Sequence, residues 1–164
     1  MNSNVSPTLP TQNKSFIVIG YGNDLRSDDG IGPCVAQKVE AWGLANVKSL
    51  AVHQLTPEIA DTIKDVYGVI FVDACQLPDV QEVQVLTVEP EETGKSMTHN
   101  VDPRSLLALS QTLYNSHPRA WCINVPAVNF EMGETLSPVA EQGVSQALEK
   151  IDFILRQQAD LHEI

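Results

Sequence analysis

The sequence predicts an α/β domain, a mostly parallel sheet with helices on both faces, and three observations carry that prediction. Apolar runs at 16–20 (Phe-Ile-Val-Ile-Gly) and 69–73 (Val-Ile-Phe-Val-Asp) lack the alternation of a half-exposed strand, so they suit strands covered on both sides. Stretches with apolar residues at helical spacing stand between such runs. Strand and helix patterns that alternate in this way are those of parallel strands joined by crossover helices.

Residues 1–13 are polar, contain proline and show no periodicity, which predicts a flexible tail ahead of a single domain at 14–158, with a second short tail at 159–164. The first strand begins at Phe16 and is central. After an acidic turn, Ile31, Val35 and Val39 form a helical stripe that ends before Gly43. Val47 to Val52 is the next strand. Pro57 to Ile63 is a helix, with Thr56 as its cap and proline in the first position, where a missing N–H costs nothing. Val69 to Asp73 is the third strand, and the alternating Val83 to Val88 an exposed one at an edge. Asp102 caps a helix carrying Leu106, Leu109 and Leu113, Trp121 to Val125 is the last strand, and Val144, Leu148, Ile151 and Leu155 stripe a C-terminal helix.

Composition narrows the function. A chain of 164 residues, 43% hydrophobic, buries one core and is too short for two ordinary domains. A net charge of −11 with few, scattered Lys and Arg speaks against nucleic acid. No apolar run approaches the roughly 20 residues of a membrane span and no secretory signal opens the chain, so a cytoplasmic protein without a membrane partner is expected. Cys34, Cys75 and Cys122 stand far apart without a Cys-x-x-Cys pair, and are expected as buried, reduced thiols.

The turn after the first strand runs from Gly20 through Tyr21, Gly22, Asn23, Asp24, Leu25, Arg26, Ser27, Asp28, Asp29, Gly30 and Ile31 to Gly32. It opens like a dinucleotide fingerprint, but Leu25 stands where a third glycine belongs and two aspartates at the helix entrance would repel a pyrophosphate. An organic nucleotide cofactor is not expected. Asp28 and Asp29 have a plain reading as helix caps. A second reading joins Asp29 to Asp73, an acid closing an apolar strand where burial demands compensation, and to His99 in a polar loop. Two carboxylates and an imidazole form a ligand set for a divalent metal with positions left open for substrate or water. No Gly-x-Ser-x-Gly elbow is present, which leaves a covalent nucleophile unsupported.

Residues 22–32 resemble the opening signature of the nickel-iron hydrogenase maturation endopeptidases, where a glycine and asparagine precede a pair of acids and Gly-x-Gly; Gly22, Asn23, Gly30 and Gly32 match its loop. Asp29 corresponds to the family's first metal-binding acid, Asp73-Ala74 to its second, and His99 to its histidine. The likeness spans about residues 16–155. It implies a three-layer α/β/α sandwich around a twisted sheet of about five strands. It also implies a monomer that removes the C-terminal extension of a hydrogenase large-subunit precursor. Asp29, Asp73 and His99 would be at once its catalytic and its metal-reading residues. In such enzymes the nickel is supplied by the precursor, so cleavage waits for metal insertion. Asp28 is a possible auxiliary to this set.

One departure from the resemblance is His53, followed by Gln54, Leu55, Thr56, Pro57 and Glu58, where relatives carry a glycine-rich turn. Its position after the second strand makes it a possible auxiliary ligand. His117 and His162 are expected at the surface. Two rival readings use the same residues: a self-contained zinc metallohydrolase, and a non-catalytic nickel carrier or chaperone for the precursor.

Overall fold

The computed structural model describes residues 14–92 and 101–161. Five strands, β1 (Phe16–Tyr21), β2 (Val47–Val52), β3 (Gly68–Gln76), β4 (Gln84–Thr87) and β5 (Arg119–Ala127), form one sheet in the order β2-β1-β3-β5-β4. All neighbours are parallel except the edge strand β4, which runs antiparallel to β5. The helices are α1 (Ile31–Glu40), α2 (Ile59–Ile63), α3 (Pro103–Tyr114) and α4 (Pro138–Ala159).

Alternation along the central strands explains how they divide the core. Val18, Ile70, Val72, Ile123 and Val125 face one way and pack under Val35 and Val39 of α1 and Val144, Ile151 and Leu155 of α4. Ile17, Ile19, Val69 and Phe71 face the other way, toward Ile59 and Ile63 of α2 and Leu106 and Leu107 of α3. The result is the expected three-layer α/β/α sandwich of five strands.

Several local expectations change. The β3 strand continues past Asp73 to Gln76, because β5 keeps pairing with it as far as Gln76 and Ala127, whereas β1 has already ended. The helix foreseen from Pro57 starts at Ile59. Thr56 and Pro57 form a turn through their carbonyls, which accept the Ile59 and Ala60 N–H groups, and no side chain caps the helix. Asp102 does cap α3, in a reciprocal box with Ser105. That helix turns Leu106 and Leu107 into the core with Leu109 packed partly against it, and leaves Leu113 exposed, because its buried face runs through Pro103, Leu106, Leu107 and Ser110. The three cysteines are free and only partly buried.

Candidate active site

The order of the sheet fixes where a site can form. From β1 the chain crosses to β2 on one side, and later to β3 on the other, with α1 and α2 lying on opposite faces. A crevice opens beyond the carboxyl ends of the strands at such a reversal. The turn after β1 and the distal half of β3 lie at those carboxyl ends.

Asp29 closes a 3₁₀ turn, Ser27–Gly30, that leads straight into α1. Its carboxylate does not cap the helix; it accepts the Asn23 N–H at 2.7 Å. Asn23 in turn accepts the Leu25 N–H through its side chain and the Arg26 N–H through its carbonyl, so the loop folds back on the acid. Gly22 has φ +146°, and a Cβ there would lie 2.0 Å from the Asp29 carbonyl oxygen. The signature glycine and asparagine are therefore the mould in which Asp29 is set.

Asp28 does not cap α1 either. It is fully buried, and its carboxylate reaches across the molecule to the segment after β5. Burial alone would raise its pKa, but N–H groups of Ser137, Val128 and Asn129 and the Ser137 hydroxyl outweigh that and hold the carboxyl below its ordinary value.

Asp73 lies one step beyond the last β1–β3 pair, Gly20 with Val72, which sets it beside Tyr21; its partner on β5 is Asn124. Burial is the main reason its pKa rises to about 6, and the charge of Asp29 adds to the rise. Hydrogen bonds from the Tyr21 hydroxyl and the Ala74 N–H offset part of it. Asp29 and Asp73 thus stand at the carboxyl ends of the neighbouring strands β1 and β3. Tyr21 was not singled out by sequence reasoning. Only the register that brings the end of β1 level with Asp73 reveals it, and burial together with the Asp73 charge keeps its phenol protonated.

His99 lies outside the described residues, as does His162. Among the described residues, no three His, Cys, Asp or Glu side chains are grouped so as to hold a metal. His53 follows β2 at the carboxyl edge, beside the loop whose Gly22 N–H donates to the Val52 carbonyl, with its side chain exposed. His117 is exposed at the amino end of β5. Burial pushes the Cys75 thiol up to about 11 and Cys122 up to about 12, with Asp73 contributing to both, so neither is a thiolate at neutral pH.

This fold is shared with hydrogenase maturation proteases among solved structures. The chain superimposes on the HybD maturation protease of Thermococcus kodakarensis with a TM-score of 0.67 and 19% identity, covering 86% of this chain and 99% of that one. It matches the E. coli maturating endopeptidase HybD with a TM-score of 0.70 and 18% identity, over 88% and 93% of the two chains. The hydrogenase 2 maturation peptidase of Thaumarchaeota archaeon SCGC_AB-539-E09 gives a TM-score of 0.65 and 22% identity, over 87% and 98%. At these identities the likeness is one of fold. No family model matches the sequence, and no curated protein matches it.

Proposed function

We propose that this protein is the endopeptidase that trims the C-terminal extension from the large-subunit precursor of a nickel-iron hydrogenase once nickel is in place. The observation that supports the reading is that Asp29, in the turn after β1, and Asp73, on the adjacent β3, stand at the carboxyl ends of neighbouring strands in a fold shared with the maturation proteases. Holding two carboxylates together in a partly desolvated cleft is unfavourable until a cation arrives. A nickel ion already anchored in the precursor is such a cation, and the imidazole of His99 is a third donor suited to it. Binding energy that appears only with the metallated partner would then place the scissile bond against the acids. Asp73, with its carboxyl near neutrality, is the better placed of the two to take a proton from the attacking water.

The deciding experiment is mass spectrometry of precursor prepared with and without nickel and incubated with the protein. A single cut in the nickel-loaded form alone, with none in casein or the isolated tail peptide, is the expected result. Equal cutting of both precursors would leave the peptidase standing without the metal gate. A stable complex with no mass change would instead identify a nickel chaperone.

A further inference from the structure

Asp28 and Asp29 are adjacent in sequence, yet the fold uses them for opposite purposes. Asp29 borders the crevice. Asp28 is fully enclosed, and every hydrogen bond its carboxylate accepts comes from the segment between β5 and α4. Its Oδ2 accepts the Val128 N–H at 2.9 Å, the Asn129 N–H at 3.1 Å and the Ser137 hydroxyl at 2.8 Å, while Oδ1 accepts the Ser137 N–H at 2.8 Å. Its own N–H donates to the Asn129 carbonyl.

The neighbouring residues continue this seam. The Ser27 N–H donates to the Gly133 carbonyl and its hydroxyl to that of Glu131, the Gly133 N–H returns to the Leu25 carbonyl, and Arg26 Nε donates to the Phe130 carbonyl. Within it Ser27 has φ +52°, a conformation that costs a residue with a Cβ about 1 kcal/mol or more and persists only where the surroundings impose it. The turn that carries Asp29 is therefore held from both sides, by its own hydrogen bonds to Asn23 and by the far segment.

We propose that Asp28 is a positioning residue for Asp29: by clamping residues 25–28 to 128–137 it holds the turn in the form that presents the Asp29 carboxylate to the crevice. We do not assign it as an auxiliary ligand, because both carboxylate oxygens already accept from protein donors, four in all, and no part of it is exposed. Asp28→Asn separates this role from others. The amide has a single oxygen, and its NH₂ must confront either the Ser137 N–H or the pair from Val128 and Asn129, donor against donor.

The catalytic half of the test rests on the peptidase reading; the structural half does not. In the full-length chain, at a temperature where the variant is fully folded, amide exchange by NMR reports on the Asn23 N–H that Asp29 binds. Asp28→Asn is expected to speed that exchange at least about tenfold while the Ile70 amide in β3 keeps its protection. On nickel-loaded precursor, kcat is expected to fall about tenfold to a hundredfold with KM within about threefold of the original. Unchanged Asn23 protection, or faster exchange with kcat intact, overturns the proposal. If Asp28→Asn does not fold, Ser137→Ala and Ser137→Thr decide it. Loss of the hydroxyl must weaken Asn23 protection and threonine must restore it; equal protection in both overturns the clamp. A wild-type protein that cuts no precursor refutes the peptidase reading, and the exchange result then judges the clamp alone.

Discussion

Burial and the charge of Asp29 lift the Asp73 carboxyl from 3.8 to about 6, so the folded protein binds a proton there more readily than the unfolded chain does. The associated stability is fully present below about pH 3.8 and is lost as the pH rises through about 6. Asp73→Asn retains an acceptor for the Tyr21 hydroxyl and removes the charge. It is expected to be more stable than wild type at pH 7.5, by up to about 3 kcal/mol, with the advantage gone near pH 4; urea unfolding at the two pH values measures it. The same variant is expected to be inactive on precursor. Asp28 runs the other way. Its pKa is lowered, so its contribution is present above about pH 3.8 and disappears as the pH falls further, and Asp28→Asn should flatten the acid limb of the stability curve. Asp29→Ala and His99→Ala are each expected to abolish processing without shifting Tm downward by more than a few degrees; normal cutting by both would remove these residues from the mechanism.

At the level of elements, a side chain at Gly32 would meet the Tyr21 nitrogen and oxygen and the Val72 carbonyl at 2.5–2.7 Å, because α1 lies directly on the backbones of β1 and β3. Gly32→Ala is expected to cost about 3 kcal/mol, read as a lower urea midpoint with unchanged slope. Asp102→Ala, which removes the reciprocal cap of α3, is expected to cost about 1 kcal/mol by the same measurement. The strands were legible because their signals are local: Val47–Val52 and the edge character of β4 follow from residues a few positions apart. Asp102 was legible as a cap for the same reason. The seam was not. Asp28 and Ser137 are separated by more than a hundred residues, and nothing at residue 28 distinguishes an acid that caps its own helix from one that reaches another. The Ser137-Pro138 pair carried a local signal for the start of α4, but that signal does not say that the same serine also serves the β1 turn. The extension of β3 to Gln76 was hidden because only β5 sustains it.

For the whole molecule, the order β2-β1-β3-β5-β4 places the crevice where nucleotide-binding sheets hold phosphate, while the residues at its mouth are acids. The two described acids do not make a closed four-ligand site, and a site of three protein ligands with open positions would hold free metal weakly. Purification without added metal is therefore expected to give well under one nickel or zinc per chain by elemental analysis. A zinc ion retained through chelation, with activity lost on its removal, would favour a self-contained metallohydrolase. Among the described residues, no helix is long and apolar enough to cross a membrane.

Where Gly20 meets Gly32, strand and helix touch with no side chain between them, since a Cβ on Gly20 would fall 1.8 Å from the Gly32 carbonyl oxygen. Two elements joined backbone to backbone have no layer of rotamers through which to slide. The start of α1, two residues after Asp29, is thereby a fixed datum, like the stationary jaw of a vice. Adjustment on docking falls to whatever is brought against it, because this surface does not follow a displacement of even an ångström.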